Sequence, residues 1–317
     1  MKFLITGATG FIGSHFIKYL LRKYDDISVI GVNRYSNQKN IKRLENALDD
    51  SRFTMYWADF SKDMITDAFK DIEYIFHFGA KTFVDYSIQN PVPFIQSNIL
   101  GTYMILEEAR KCETLKMYFQ ISTDEVYGAI LQGSYREDAP LNPSNPYSAT
   151  KSAGDMLSIA YHNTYNLPII ITRTENVYGS YQSKEKVFPT FVRKALNDEM
   201  LPVYGDGHHS RQWLYVEDKC SALINILEHG KVGEIYHIAG YQELENLELA
   251  KRVLKILNKT DDMIKFIPDE KIRPGHDRRY ALSNEKICAL GWMPKYSLDE
   301  GIKLTVEWYK KNQWWSM

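Results

Sequence analysis

The sequence contains few cysteines, almost no net charge and no long apolar run. The three cysteines, Cys112, Cys220 and Cys288, lie far apart and in none of the paired spacings that are typical of zinc sites or disulfide frameworks. The formal net charge of -1 indicates no bulk attraction for polyanions, although local basic sites are compatible with it. No apolar run approaches the ~18 residues of a membrane span. We therefore expect no nucleic-acid partner and no membrane segment.

A soluble protein of the cytoplasm is expected from the same absences. The cysteines are interpreted as free thiols of a reducing compartment. The first apolar run reaches Gly7 too soon for a signal peptide. The pair His208-His209 lacks a third candidate ligand at useful spacing, so no metal site is predicted. A length of 317 residues with 44% apolar and 25% charged residues is ordinary for a globular enzyme.

The chain opens with a short apolar strand, a glycine-rich turn and a helical pattern. The strand at residues 3–6 runs into Gly7, Gly10 and Gly13, and apolar positions then recur at helical spacing over residues 14–21. Gly7 allows a tight turn, Gly10 lets backbone approach a pyrophosphate, and Gly13 lets the helix pack against the strand. The phosphates would meet the unpaired N–H groups of the helix amino terminus. This pattern predicts a dinucleotide cofactor.

The end of the second predicted strand bears on the choice of cofactor. This strand covers residues 27–32 and ends at Asn33-Arg34. A carboxylate at this point holds the ribose hydroxyls of NAD, whereas a nearby arginine accommodates the 2'-phosphate of NADP. Because the acidic residue is missing and Arg34 stands beside its place, the pattern favours NADP over NAD. The alternative is that Arg34 is a solvated surface residue.

Strand and helix patterns alternate through the first half of the chain, which predicts an α/β fold with a doubly wound parallel sheet. Further strands are predicted at residues 52–59, 72–80, 116–121 and 167–173, and a helix at residues 93–111. Asp59 ends the third strand and is either a partner of the adenine amino group or a helix cap. Beyond residue 180 the alternation weakens. We therefore predict a dinucleotide-binding domain of residues 1–180 and 212–239 and a smaller lobe of residues 181–211 and 240–317.

Polar side chains directly follow the fifth predicted strand. Ser122, Thr123, Asp124 and Glu125 lie just past its carboxyl end, where open α/β sheets place their ligands. Two adjacent carboxylates are an unusual choice for a plain connection, and they indicate a site for proton transfer. The alternative is a turn whose acidic residues cap the next segment.

A tyrosine and a lysine open the next predicted helix. This helix begins near Pro146, a residue suited to a first turn, and Tyr147 and Lys151 share one face because they are four residues apart. The same interval recurs elsewhere, for example at Tyr19 and Lys23, so the spacing alone proves little. The position of Tyr147 distinguishes it from the other pairs. It opens the helix after the loop that follows the fifth predicted strand, and Thr123 to Glu125 lie at the end of that strand. The alternative is an exposed pair on a surface face.

Five segments together resemble a known family. They are residues 7–13, residues 122–128, the Tyr147/Lys151 helix, Tyr204-Gly205-Asp206-Gly207 and residues 273–280. They look like the extended short-chain dehydrogenase/reductases and, more narrowly, like the nucleotide-sugar 4,6-dehydratases of the dTDP-glucose type. The resemblance implies a Rossmann-type doubly wound parallel sheet with a smaller mixed α/β carboxyl-terminal substrate lobe, and a homodimer.

The sequence departs from the pattern of those dehydratases at three places. Asn33-Arg34 stands where they usually carry an acidic residue for NAD, and residues 81–86 differ from their usual pocket run. Glu175 and Val177 flank Asn176 where the relatives carry Ser and Asn. These are pocket positions, so the sugar and the base of the substrate stay open.

The resemblance implies the removal of water across C5 and C6 of a nucleotide-linked hexose after oxidation at C4. Tyr147 would take the 4-hydroxyl proton, with the Lys151 ammonium and the positive nicotinamide ring lowering its pKa from about 10. Thr123 would hydrogen-bond the C4 oxygen, Glu125 would remove the C5 proton, and Asp124 would protonate the departing 6-hydroxyl.

The resemblance also implies the residues that bind the two ligands. For the NADP or NAD cofactor they are Gly7, Gly10, Phe11, Ile12, Gly13, Asn33, Arg34, Asp59, Phe60, Phe78, Gly79, Ala80, Asn98, Ser122, Tyr147 and Lys151. For the nucleotide-sugar substrate they are Lys81, Thr82, Asn176, Lys186, Val187, Arg211, Asn246, Arg273 and His276.

Four other functions fit the same frame. A 4-epimerase or a decarboxylase needs only the tyrosine and the cofactor, so the acid pair argues against both. A 5,6-dehydratase that does not reduce C6 is not excluded by the sequence. A non-catalytic dinucleotide-binding protein would have no need of Tyr147, Lys151 and the acid pair together.

Overall fold

A parallel sheet of seven strands forms the centre of the molecule, with strand order β10-β6-β5-β4-β1-β2-β3. The structure is a computed structural model that describes residues 1–268 and 277–316. The strands are β1 (Lys2–Thr6), β2 (Ser28–Asn33), β3 (Phe53–Trp57), β4 (Tyr74–His77), β5 (Met117–Thr123), β6 (Ile169–Thr174), β7 (Asn176–Tyr178), β8 (Leu201–Tyr204), β9 (Ser210–Tyr215), β10 (Ile235–Ile238), β11 (Glu243–Glu245) and β12 (Ile264–Ile267).

Helices connect the strands and cover the sheet. The α-helices are α1 (Phe11–Lys23), α2 (Val84–Gln89), α3 (Val92–Phe94), α4 (Gly101–Lys111), α5 (Pro146–Tyr165), α6 (Val187–Leu196), α7 (Val216–His229), α8 (Asn246–Ile256), α9 (Glu285–Cys288), α10 (Leu298–Lys311) and α11 (Gln313–Ser316). Short 3-10 segments occur at Tyr35–Ala47, Thr66–Phe69, Asp124–Tyr127 and Asp261–Met263. Within the described part of the chain, every helix is too short or too polar to cross a bilayer.

Apolar side chains project from both faces of the central sheet. In β1, Phe3 and Ile5 pack into one core cluster and Leu4 packs into another. Successive side chains of a strand point to opposite faces, so both faces of the sheet are covered. This arrangement confirms the predicted doubly wound parallel sheet.

The strand order reverses between β1 and β4. From β1 the chain proceeds through β2 to β3 on one side, and from β4 through β5 to β6 on the other. In open α/β sheets, ligands bind outside the carboxyl ends of the strands at such a reversal. The glycine turn after β1 and the polar residues after β5 both lie at this edge.

A third core cluster belongs to the later part of the chain. It includes Phe188 and Phe191 of α6, Val253 of α8 and Ile302 of α10. Two small sheets, β11-β9-β7 and β12-β8, accompany it. This confirms the smaller mixed lobe, whereas the division at residues 181–211 and 240–317 stays a prediction.

The helix predicted for residues 93–111 is not regular. A π-helical stretch, Ile95–Leu100, separates α3 from α4. Within this stretch the buried Asn98 donates to the Lys81 carbonyl at 3.0 Å and to Thr150 Oγ1 at 3.0 Å. Asn98 thus ties the helix to the loop after β4, and π segments commonly occur where one side chain is redirected in this way.

A buried ion pair lies beneath the carboxyl end of the sheet. Arg173 Nε of β6 donates to Asp155 Oδ2 of α5 at 2.9 Å, and the exposed fractions of the two side chains are 2% and 0%. Arg173 also donates to the Tyr127 hydroxyl. Burial of both charges means that each depends on the other for compensation.

We predict that Asp155→Asn destabilises the protein by about 3 to 5 kcal/mol, because it leaves the buried Arg173 guanidinium without its counter-charge. Urea unfolding measures the change. The control is Glu285→Gln, which breaks a surface pair with Arg136 at 3.1 Å and should change stability by about 0 to 1 kcal/mol. Equal losses for the two variants would contradict the prediction.

Candidate active site

A cavity of about 380 Å³ lies over the carboxyl ends of β1, β4, β5 and β6, and we call it the cofactor cavity. Its wall includes most of the predicted cofactor residues, namely Gly7, Gly10, Phe11, Ile12, Gly13, Asn33, Arg34, Phe60, Phe78, Gly79, Ala80, Ser122, Tyr147 and Lys151.

The glycine turn of this cavity fits a dinucleotide. Gly7 has φ +69°, and a Cβ on Gly13 would lie 2.5 Å from the Gly7 carbonyl oxygen. The cap residue that precedes α1 is Gly10, which offers no side chain to the first N–H groups of the helix. First-turn N–H groups of such a helix suit the phosphates of a nicotinamide cofactor.

An arginine that the sequence did not single out lies near the adenosine end of the cofactor cavity. Arg43 is buried, and it donates to the carbonyls of Thr9 and Tyr181, each at 3.0 Å, and to Ser183 Oγ at 3.2 Å. Burial lowers the pKa of Arg43 to about 10. Its partners are up to 140 positions away along the chain, so no local pattern could have revealed it.

Three predicted binding residues do not lie in the wall of either ligand cavity. Asp59 Oδ1 accepts from the N–H and hydroxyl of Ser61 at 3.2 and 2.7 Å, which is the geometry of a cap. Asn98 and Lys81 bond to each other through Lys81 N–H and Asn98 Oδ1 at 2.8 Å. These contacts serve the local fold, and ligand binding by Asp59, Asn98 and Lys81 stays a prediction.

The acid pair begins a 3-10 turn directly after β5. Thr123 is the cap of this turn, and its hydroxyl accepts from the Glu125 N–H at 3.4 Å. The hydroxyl also donates to Asp124 Oδ1 at 2.9 Å. Because Thr123 serves as the cap, capping does not explain the two carboxylates.

Burial changes the acidity of both carboxyl groups. Burial and the neighbouring Glu125 charge raise the pKa of Asp124 to about 7. Burial also raises the pKa of Glu125, while the charges of Lys186 and Arg211 oppose that rise. Burial thus favours the protonated form of both groups, while Lys186 and Arg211 oppose this at Glu125 and the Thr123 hydrogen bond and Arg211 oppose it at Asp124.

Tyr147 and Lys151 lie on the face of α5 that meets β5. Asn145 caps this helix, and the Tyr147 N–H donates to Ser87 Oγ at 3.1 Å. The Tyr147 hydroxyl is hydrogen-bonded to Thr123. Lys151 Nζ donates to the carbonyl of Ile121 at 2.6 Å.

Lys151 is expected to lower the pKa of Tyr147, but in the chain alone this pKa is raised. Burial, followed by the charges of Glu125 and Asp124, raises the pKa of Tyr147 well above its ordinary value. Burial lowers the pKa of Lys151 itself to about 8. The phenol thus needs a further positive charge beside it before it can serve as a base at neutral pH.

A second cavity of about 370 Å³ adjoins the first, and we call it the substrate cavity. The two cavities share Glu125, Asn176 and Lys186 in their walls. Of the other predicted substrate residues, Val187, Arg211 and Asn246 line the substrate cavity, whereas Thr82 lines the cofactor cavity. Arg273 and His276 lie outside the described residues.

Arg211 is the best-placed cation of the substrate cavity. It is buried, it donates to the carbonyls of Ser210 and Asp277 at 2.7 and 2.9 Å, and it stacks on Tyr280 with its guanidinium 4.5 Å from the ring centre. A guanidinium held in this way is suited to a diphosphate. Tyr280 and Asn145 also line the cavity, although the sequence did not single them out.

The family model described as GDP-mannose 4,6 dehydratase matches residues 4–305. The low-salt glycan biosynthesis protein Agl12 of Haloferax volcanii is 42% identical over 310 residues, which are 98% of each chain. A dTDP-glucose 4,6-dehydratase of Streptomyces venezuelae, solved with NAD bound, is 38% identical with a TM-score of 0.93, over 99% of this chain and 98% of that one.

The chain belongs to this family. It is a nucleotide-sugar 4,6-dehydratase that depends on a nicotinamide cofactor. A UDP-glucuronic acid 4-epimerase of Bacillus cereus, also solved with NAD, has a TM-score of 0.93 at 28% identity, over 98% of this chain and 99% of that one. The fold is thus shared with epimerases. Both solved relatives carry NAD, so the predicted preference for NADP finds no support in them.

We predict that Glu125→Gln lowers the pKa of Asp124 from about 7, because the variant removes the neighbouring negative charge. Burial remains, so the pKa should stay above the ordinary 3.8 of aspartate. The carboxyl carbon shift of Asp124 in ¹³C-aspartate-labelled enzyme, followed against pH, measures the change.

The exposed Glu113 supplies the control for this titration. Glu113→Gln removes the same charge far from the cavities and should leave the Asp124 curve unmoved. If Glu125→Gln also left it unmoved, the two carboxyl groups would not be coupled.

Proposed function

We propose that this enzyme converts a dTDP-linked hexose, with dTDP-glucose as the first candidate, into the 4-keto-6-deoxy sugar nucleotide. The observation that carries the proposal is the position of Asp124 and Glu125. Both line the cofactor cavity, and Glu125 also lines the substrate cavity. A hexose that reaches from one cavity toward the other would therefore meet both carboxyl groups.

The C5–H of a hexose is too weak an acid to be lost directly, and a ketone at C4 acidifies it. A nicotinamide held in the cofactor cavity would supply the acceptor for the C4 hydride and the donor for its return to C6. Tyr147 takes the proton of the 4-hydroxyl, and Thr123, which is hydrogen-bonded to Tyr147, orients the C4 oxygen.

The acid pair performs the elimination. Glu125 takes the C5 proton while Asp124 gives its proton to the departing 6-hydroxyl, so that water leaves. The opposite roles fit the local charges: Lys186 and Arg211 favour the carboxylate form of Glu125, whereas burial and the Glu125 charge favour protonated Asp124.

Thr123 also offers a path by which the protons are restored. In each turnover Tyr147 gains a proton and Asp124 loses one. The Thr123 hydroxyl is hydrogen-bonded to Tyr147 and donates to Asp124 Oδ1 at 2.9 Å. A shift along these two hydrogen bonds returns the proton to Asp124 without a water molecule.

Arg211, Lys186 and Asn176 are the proposed anchors of the substrate diphosphate. Lys186 Nζ donates to the Thr82 carbonyl at 3.1 Å, which holds it across the opening between the two cavities. We also propose a homodimer in the cytoplasm. The exposed apolar side chains of Ile95, Tyr103 and Met156, beside the sheet, support the dimer.

The proposal predicts that the purified enzyme with NAD removes one water from a dTDP-hexose. Mass spectrometry of a panel of dTDP-, UDP- and GDP-linked hexoses, including N-acetylated ones, measures this loss. Retained mass for every sugar would contradict the dehydratase proposal, and loss from UDP- or GDP-sugars alone would contradict the dTDP assignment.

Glu125→Gln separates the steps of the same reaction. The variant should still oxidise C4 but should exchange the C5 proton with deuterated solvent about 10² to 10⁴ times more slowly, since a general base is lost. Glu113→Gln is the matched control. Exchange at the native rate would assign the C5 base to another residue.

We propose NAD as the physiological cofactor. The two solved relatives with NAD support this choice, and at the end of β2 Asn33 Oδ1 accepts from the Arg34 N–H at 2.8 Å and from Asn37 Nδ2 at 3.1 Å. We predict that NAD binds at least about tenfold more tightly than NADP, a difference of about 1.4 kcal/mol.

Isothermal titration of the enzyme with each dinucleotide measures the difference. Arg34→Ala is the control: it should leave the affinity for NAD within about twofold while weakening any residual NADP binding. Tighter binding of NADP would restore the preference predicted from the sequence.

A further inference from the structure

Glu175 is a third carboxyl group in the cofactor cavity, and the mechanism above does not use it. It directly follows β6 and is 5% exposed. Its Oε1 accepts from the Gly240 N–H. Its Oε2 is buried and has no hydrogen-bond partner among the described residues. A carboxyl oxygen in that position is costly unless it carries a proton or gains a partner during the reaction.

The register of the sheet brings Glu175 next to Asp124. Thr123 of β5 pairs with Thr174 of β6, and Asp124 and Glu175 are the residues that follow. Neighbouring strands lie about 4.8 Å apart, and both residues line the same cavity. The two carboxyl groups therefore follow adjacent strand ends and line the same cofactor cavity.

The charges around Glu175 favour its neutral form. Burial raises the pKa of Glu175 well above the ordinary value; the Gly240 N–H opposes this rise, and the nearby Asp124 and Glu243 carboxyl groups add to it. Lys151 and Lys219 are among the cations that line the same cavity. Lys219 donates to Thr174 and Lys151 to the Ile121 carbonyl, and no ion pair to Glu175 occurs among the described residues.

We propose that Glu175 acts as a neutral carboxylic acid whose Oε2–H, which has no partner among the described residues, donates a hydrogen bond to the Asp124 carboxylate once that anion forms, and so positions and stabilises it. The inference rests on the proposed function, because Asp124 becomes an anion when it gives its proton to the 6-hydroxyl. In that step the C6–O bond breaks, water leaves and the electron pair of the Asp124 O–H bond stays on the carboxylate. Glu175 keeps its own proton throughout and is a positioning residue.

The hydrogen bond acts on one step of the reaction. Oxidation at C4 does not charge Asp124, whereas loss of water does. A donor to a carboxylate contributes more than a donor to a neutral acid, so the contact stabilises the product side of the elimination.

Two variants of Glu175 test the proposal, and their rates are compared with each other. Glu175→Gln keeps an oxygen for the Gly240 N–H and places an N–H donor where Oε2–H stood, so it should retain water loss within about threefold. Glu175→Leu removes the donor and should slow water loss about tenfold or more while C4 oxidation, read as reduced nicotinamide, persists. Equal slowing in both variants would overturn the proposal.

Two measurements on the enzyme without substrate are independent of activity. In the ¹³C titration, Glu175→Leu should raise the pKa of Asp124 because its anion loses a donor, and Glu175→Gln should leave it near the native value. In urea unfolding, native Glu175 holds a proton when folded and loses it when unfolded above about pH 4.5. Native stability should therefore fall relative to that of Glu175→Gln as pH rises from there.

Parallel stability curves between about pH 5 and 8 would show that Glu175 is ionised in the folded enzyme, which would overturn the proposal. The Glu175→Gln curves need no folded Leu variant. These curves also separate the dehydratase function from the protonation state of Glu175. If no sugar nucleotide lost water, the proposed function would fail. The unfolding curves would still show whether Glu175 holds a proton in the folded enzyme.

Discussion

The parallel pairing of β5 between β4 and β6 is the constraint on which the site depends. In this register Thr123 lies beside Thr174, and His77 of β4 lies beside Gln120 of β5. Parallel strands end at one edge, so the polar residues that follow β5 and β6 converge there. The pairing takes Asp124 and Glu175 out of water together, and the raised pKa values of both are a result of that shared burial.

The same burial keeps the proposed tyrosine base inactive in the protein alone. The charges of Asp124 and Glu125 oppose ionisation of Tyr147, and Lys151 is bound to a main-chain carbonyl. A positive charge that arrives beside the phenol would reverse this balance. The pKa of Tyr147 is therefore expected to fall when a positively charged nicotinamide ring lies in the cofactor cavity.

Local sequence patterns predicted the parts of this enzyme that depend on local order. Short apolar runs marked the strands of the sheet, and Gly7 to Gly13 marked the turn before α1, because strand composition and glycine spacing act over a few residues. The position of Thr123, Asp124 and Glu125 after a strand was likewise readable. Family resemblance then supplied roles that spacing alone did not.

Features set by distant contacts were missed. Arg43 lies in a 3-10 segment and its importance comes from carbonyls of Thr9 and Tyr181. The π-helical turn at Asn98 reflects a contact with Lys81. The sequence leaves Asp59 with two alternative roles, and its contact with the Ser61 hydroxyl at 2.7 Å has the geometry of a cap. The direction of the Tyr147 pKa depends on desolvation, which a sequence does not display.

The shared wall of the two cavities also bears on the order of events during turnover. Glu125, Asn176 and Lys186 each border both spaces, so neither compartment has a boundary of its own at that point. A ligand that moves these three side chains when it fills one cavity also changes the shape of the other cavity. These three side chains are therefore the place where a ligand in one cavity can affect a ligand in the other.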